Sequence, residues 1–310
     1  MTTYRLGINT CFAVKRWPQP ERWARLVRDD LGLDLVQHSL DLVDLDASPA
    51  EVADQADRLR QACAGAGLTL HSTFTGLAAY SSNLLLHPDL AARGRARSWY
   101  RRVIDFTAAA GAGSAGGHVG AYSVDDWRDP GRRQELWDEL GDSLAELAGH
   151  ARAQGLSGLM VENLAAAREP STLQMMASLL TEGDETHVPI TLCLDVGHQC
   201  VPGTSGADRD PYAWLEQRGA RSTVVQLQQA DGQADHHWPF TAETNAAGII
   251  SGRKVLAALD RSGAADIALI LEVIPAFEQD DDQALADLRQ SAGYWREALA
   301  RHAGGGRPAD

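Results

Sequence analysis

The chain has 310 residues, 44% of them hydrophobic and 23% charged, a globular composition that excludes a disordered or fibrous protein. Its formal net charge of −14 opposes nucleic-acid binding, because gripping a phosphate backbone needs a clustered excess of Lys and Arg. There is no unbroken apolar run long enough to span a bilayer, Met1-Thr2-Thr3-Tyr4-Arg5 leads straight into a strand-like stretch, and Cys11, Cys63, Cys193 and Cys200 show no CxxC spacing, so a cytoplasmic protein without membrane anchor, signal peptide, disulfide framework or structural zinc is expected.

Taken in order, short β-like runs alternate with longer amphipathic stretches, the pattern of βα units with parallel strands. The first strand is expected over 5–10, followed by a loop holding Lys15-Arg16-Trp17-Pro18 and a helix opening near Pro20, a favoured first-turn position. A strand over 35–39 precedes a helix over 49–64, ended by the glycines at 65 and 67, and a third strand over 68–72. The segment 73–88 is rich in Ser, Thr and Gly, and a loop of that length inside a compact domain is usually a lid or binding element. A helix over 89–110 leads to a glycine-laden fourth strand over 114–119 and a loop over 120–130. In the helix over 132–154, Leu136, Leu140, Leu144 and Leu147 repeat at three and four residues, so one apolar stripe should face the sheet. The fifth strand ends at Glu162, a helix covers 171–180, the sixth strand ends at Asp195 and a polar loop spans 199–211. A helix over 212–217, a strand over 224–227, a second long loop over 230–248, a helix over 253–262, a strand over 267–272 and a helix over 283–302 complete the set.

Eight such units over about 250 residues or slightly more are the signature length of a (β/α)8 TIM barrel, whose active site lies on the loops after the strands. An open doubly wound sheet is the rival, but no GxGxxG follows the first strand and polar residues end strands all along the chain. One TIM-barrel domain over 1–303 is therefore expected, with a frayed glycine-rich tail over 304–310.

Four apolar runs end in residues that carry chemistry. Leu159-Met160-Val161 runs into Glu162, Leu192-Cys193-Leu194 into Asp195, Val224-Val225-Gln226-Leu227 into Gln228, and Leu269-Ile270-Leu271 into Glu272. In the two-residue period of a strand, Asp195 shares a face with Cys193 and Thr191 and points away from Leu192 and Leu194. In a barrel these four ends converge, and three carboxylates with one amide oxygen make an all-oxygen ligand set for Mn²⁺ or Mg²⁺, with Co²⁺ a lesser fit. Such a site can polarise a hydroxy-ketone through two adjacent oxygens. Two glutamates on different strands can then address opposite faces of the planar enediolate, one removing a proton and the other returning one, which inverts a stereocentre. Proton transfer by one of them alone gives aldose–ketose isomerisation. His198, three residues past Asp195, is expected to hold a substrate oxygen. His71 and His118, at the ends of the third and fourth strands, are candidates for the pocket wall, set against the plainer reading of buried, hydrogen-bonded strand histidines. His38 reads as core.

With the strand ends in this order, the whole chain resembles the xylose-isomerase-like sugar isomerase and epimerase superfamily, and within it the ketose 3-epimerases. The resemblance implies that Glu162 is the fifth-strand metal ligand and catalytic glutamate, Asp195 the sixth-strand ligand, and Glu272 the eighth-strand ligand and second catalytic glutamate, with His198 in an Asp-x-x-His motif binding substrate. The seventh strand departs from the pattern: where the family has His-x-His with its second histidine on the metal, this chain has Gln226-Leu227-Gln228, which makes Gln228 the carried-over ligand. Where the family often has a substrate-binding glutamate shortly after its first, this chain has Arg168, implying a differently charged substrate.

The stretches Asn9-Thr10-Cys11-Phe12-Ala13-Val14-Lys15-Arg16-Trp17-Pro18 and Asp235-His236-His237-Trp238-Pro239-Phe240 are similar to a tetrulose-phosphate epimerase and isomerase branch associated with erythritol catabolism. Lys15, Arg16, Arg168 and Arg209 are then the loop cations to hold a phosphate, although Lys15-Arg16 is by default a solvated pair at a helix entrance. His236 and His237 resemble the late-loop histidine of related metal-dependent barrels. Adjacent residues of an extended segment point opposite ways, so at most one reaches the site, and His236 is taken as the substrate contact. The expected activity is metal-dependent epimerisation or isomerisation of a small ketose or ketose phosphate, a tetrulose phosphate first, by a homodimer or homotetramer. A keto-polyol dehydratase on the same site and a non-catalytic sugar-binding barrel are the alternatives. A phosphodiester-cleaving DNA-repair barrel would need histidine-rich metal sites and a cationic groove, which the acidic charge opposes.

Overall fold

In the computed structural model, residues 2–304 are described; the tail expected beyond 304 lies outside them. Eight parallel strands, β1 (Thr3–Asn9), β2 (Leu35–Ser39), β3 (Thr69–Phe74), β4 (Ser114–Gly117), β5 (Gly158–Glu162), β6 (Ile190–Asp195), β7 (Ser222–Leu227) and β8 (Asp266–Leu271), close into a barrel in sequence order. The closing seam pairs β1 with β8 from Thr3 opposite Asp266 to Ile8 opposite Leu271. This is the expected TIM barrel. No helix of the described residues is long and apolar enough to cross a membrane.

The outer ring follows the signals in the sequence. Helix α1 (Pro20–Arg25) opens on its proline, and α2 (Pro49–Gly65) starts at a reciprocal cap in which Ser48 and Glu51 satisfy each other's backbone N–H. Helix α3 (Leu90–Ala110) ends at Gly111, which adopts the left-handed conformation that favours glycine there. Two segments expected to be loops contain short helices, α4 (Val124–Arg128) and α8 (Ala242–Ala247), each opened by a Ser or Thr cap too local to leave an apolar period. Helices α5 (Pro130–Ala153), α6 (Leu173–Leu179), α7 (Pro211–Arg218), α9 (Gly252–Ser262) and α10 (Asp281–Ala303) complete the ring. On α5, Leu136, Leu140, Leu144 and Leu147 are all buried against the barrel, each contributing roughly 1.5–3 kcal/mol.

The interior is layered. Met160, Cys193, Val224 and Ile270 fill an apolar layer inside the barrel with Leu35, Phe74 and Ala268. Two residues further along the same inward faces stand Glu162, Asp195, Gln226 and Glu272, all buried. An amide network floors this polar layer: Asn9 Nδ2 donates to Gln37 Oε1 at 2.9 Å and Gln226 Nε2 to the same oxygen at 3.0 Å.

Two strand ends lie two residues from expectation: β4 stops at Gly117, short of 119, and β3 runs past 72. Strand β3 continues to Phe74, and its pairing with β2 skips from Leu70 to Ser72, so His71 is the extra residue of a β-bulge. It lies low in the barrel, where Arg5 and Asp266 act on it, and is not a strand-end residue.

Candidate active site

Glu162 and Glu272 are each gripped by one oxygen. Tyr80 donates its hydroxyl to Glu162 Oε2 at 2.6 Å, while Glu162 Oε1, fully buried, has no hydrogen-bond partner. Glu272 Oε1 accepts from Asn9 Nδ2 at 3.0 Å and Gln226 Nε2 at 2.9 Å, leaving Oε2 toward His237. Burial pushes both carboxyls up from the ordinary range, and Asp195 raises both further, joined at Glu272 by Glu162, against the pull of His198 and His237.

Asp195 stands between them. Its Oδ1 accepts from the Gly197 backbone at 2.6 Å and from Gln228 Nε2 at 3.1 Å, and its Oδ2 is buried without a partner. Asn163 braces the same turn, donating to the Asp195 carbonyl at 3.0 Å and accepting the Asp195 N–H at 2.9 Å. Gly197 is required here, since a Cβ would lie 2.2 Å from the Gln228 amide carbon.

Gln228 faces the cluster through its nitrogen. Nε2 donates to Asp195 and, at 2.8 Å, to Asp235, while Oε1 accepts the His237 backbone N–H at 2.6 Å. Two acceptors on one end and an N–H on the other fix the amide's orientation. By holding the loop after β7, Gln228 brings His237 to the carboxylates. His237 takes a left-handed φ of +49°, which turns its ring inward, whereas His236 turns away to pair with Asp231 at 3.0 Å and stack on Trp238.

Asp195, His237 and Glu272 each offer a ligand atom within 4.8 Å of the others, and so do Glu162, Asp195 and His198. The donor set fits a divalent cation: Glu162 and Asp195 each have an orphaned buried oxygen, Glu272 is a third buried carboxylate, and the His237 imidazole contacts the Glu272 carbonyl through Nδ1 at 3.1 Å while its Nε2 lies 3.2 Å from Asp235. His198 Nδ1 contacts the Asn163 carbonyl at 2.7 Å and its Nε2 lies 3.3 Å from Asp235. Burial works against charge on His198 and His237, but Asp195 and Asp235 outweigh it, raising His198 well above its ordinary value and His237 to about 9.

Beside this cluster a cavity of about 230 Å³ opens between the loops after β1, β3, β7 and β8, with Tyr80, Asp235, His237 and Glu272 in its wall and neither Lys nor Arg lining it. That size takes a small sugar. His118, immediately after β4, is buried under Tyr80, the rings stacked at 4.7 Å, and burial holds its pKa near 4.

The cations named from the sequence stand elsewhere. Arg168 is exposed and donates to the Tyr122 carbonyl at 2.8 Å, Arg209 donates to the Gly232 carbonyl at 2.6 Å, and Lys15 sits 3.9 Å above the Phe277 ring. Arg16 pairs with Asp281 and the Ala276 carbonyl.

A family model described as a xylose isomerase-like TIM barrel matches residues 25–298. The chain belongs to that family. A curated family relative, the D-erythrulose 1-phosphate 3-epimerase of Brucella abortus (strain 2308), is 27% identical over 94% of both chains. A solved structure of a Rhodospirillum rubrum ATCC 11170 protein described as a xylose isomerase is 36% identical, with TM-score 0.86, over 95% of this chain and 99% of its own. The D-psicose 3-epimerase of Clostridium cellulolyticum H10 shares the fold at 15% identity and TM-score 0.68, over 95% of this chain and 99% of its own. The chain is an enzyme of the sugar isomerase and epimerase kind.

Within this family frame, strand periodicity pointed to Glu162, Asp195 and Glu272, which the fold brings together with His198 and Gln228. Tyr80, Asp235, Asn9 and Asn163 escaped it. Asn9 and Asn163 end strand-like runs as the carboxylates do, a signal that was available; Tyr80 and Asp235 sit in loops without a period.

Proposed function

We propose that this enzyme is a divalent-metal-dependent ketose 3-epimerase acting on a small ketose or ketose phosphate, with a tetrulose phosphate as the leading substrate. The observation that carries the reading is the pair of buried glutamates on β5 and β8, each anchored through one oxygen by its own partners and each keeping the other oxygen for chemistry. The Brucella relative, whose name specifies 3-epimerisation of D-erythrulose 1-phosphate, supports the substrate.

Glu162, Asp195, Glu272 and His237 would hold the cation, which when bound polarises the C2 carbonyl and stabilises the charge of the enediolate. Gln228, Asn163 and Gly197 orient these groups. His198 would hold one of the substrate's remaining oxygens, whereas His118, buried beneath Tyr80, supports that ring. In one direction the Glu162 carboxylate removes the C3 proton and the Glu272 carboxylic acid returns one to the opposite face. The turnover leaves Glu162 protonated and Glu272 ionised, ready for the reverse direction. The raised affinity of both carboxyls for protons, caused by burial, suits groups that must alternately hold and release one.

The test is proton NMR in D₂O of Mn²⁺-loaded enzyme with D- and L-erythrulose phosphate, and with unphosphorylated ketoses, alongside Glu162→Gln and Glu272→Gln. Deuterium should enter C3 only with metal, and inversion should fall by at least about 10²-fold in either variant. Exchange at C1 with an aldose product would make the enzyme an isomerase, and loss of the C4 hydroxyl a dehydratase. No exchange with any ketose would sink the proton-transfer reading.

A further inference from the structure

The loop after β3 delivers one side chain into the catalytic cluster, and the rest of that loop is built to hold it there. Gly76 turns the chain at φ +77°, and Asp41, on the loop after β2, accepts the next two backbone N–H groups, Leu77 at 2.7 Å and Ala78 at 2.9 Å. A Cβ at Gly76 would meet the Asp41 carboxylate at 2.5 Å. The other end is tied down where Asn83 Nδ2 donates to the Ala121 carbonyl at 2.6 Å. The single turn between these anchors, Leu77–Ser81, carries Tyr80.

The Tyr80 ring lies on His118, nearly parallel at 20°, and its hydroxyl ends on Glu162 Oε2. His118 is fully buried with both ring nitrogens unpartnered, so its contact with this part of the site is the stack itself. Tyr80 touches Glu162, and Glu272 is held by Asn9 and Gln226 instead. The two catalytic glutamates therefore have unequal support.

We propose that Tyr80 is a face-specific positioning residue: by holding Oε2 of Glu162 it sets the rotation of that carboxylate, and so governs proton transfer on the Glu162 face of the substrate alone. This rests on the two-glutamate reading above. A hydroxyl donor on one oxygen sets the rotation of the carboxylate plane, and it stabilises the ionised form in which Glu162 takes the proton. Glu272, served by two amides that need no change of protonation, works independently of it.

Tyr80→Phe keeps the ring and its stack and removes only the hydroxyl. Each C3 epimer is incubated separately in D₂O with metal-loaded wild type and variant, and deuterium is followed in remaining substrate and in product. In the variant, the epimer whose C3 proton faces Glu272 should keep exchanging within about twofold of the wild-type rate while its inversion falls about 10–100-fold. The epimer facing Glu162 should lose exchange and inversion together. Mn²⁺ affinity and melting temperature serve as controls and should hold. Equal slowing of both epimers, or no slowing of either, would overturn the proposal. Wild-type enzyme that exchanges nothing would instead sink the epimerase reading beneath it.

Discussion

Gln228 occupies the position from which a seventh-strand side chain would reach a metal, yet its oxygen is committed to the His237 backbone and its nitrogen to two carboxylates. An amide used this way is a brace, and the imidazole it braces is the better donor for a transition-series cation. Replacing Gln228 by Leu removes all three bonds at similar volume. Mn²⁺ binding, followed by titration calorimetry, should weaken about 10–100-fold, and more in His237→Ala. Unchanged affinity in both variants would return the ligand role to the carboxylates alone. Glu162, Asp195 and Glu272 were legible because a strand repeats every second residue, so a carboxylate that ends an apolar run has a defined direction. His237 was not, because its direction depends on a left-handed backbone that an Asp-His-His-Trp stretch does not announce.

At the scale of elements, β4 is the thinnest wall of the barrel and the one most dependent on glycine. A Cβ on Gly116 would sit 2.0 Å from the Met160 carbonyl oxygen, a backbone atom of β5 that cannot step aside without breaking the ladder. Gly116→Ala should therefore destabilise the fold by roughly 1–3 kcal/mol in denaturant titration. It should also cost activity, because β5 ends in Glu162. The order and type of strands and helices were readable from alternation and caps. The bulge at His71 was not, since one inserted residue in β3 leaves composition and period almost untouched while moving the side chain from the barrel's mouth toward its base.

For the whole molecule, acid stability should be set partly by His38, which packs against Trp23 of α1. It is buried between Trp23, which stacks on it at 5.5 Å, and the Thr10 hydroxyl, 3.1 Å from Nδ1. Thr10 Oγ1 also accepts the Ser39 N–H, which fixes the hydroxyl beside the ring. Burial lowers the folded pKa to about 3, below the ordinary 6.5 of the unfolded chain. Between those values the unfolded state binds the extra proton. Stability from this group is thus complete above pH 6.5 and lost as pH falls toward 3, by roughly 2 kcal/mol at pH 5. His38→Gln should melt lower at neutral pH and lose less on acidification. A pH slope identical to wild type would show that His38 is not the group responsible.

That the cavity wall holds no Lys or Arg has a kinetic meaning for a chain of net charge −14. A phosphorylated sugar approaches such a mouth uphill, so its encounter is slowed by the field that would hasten a cationic ligand. Salt screens that field, and dissolved ions then speed capture of the anion instead of competing with it. Discrimination between neutral and anionic sugars begins before contact, in the rate of arrival.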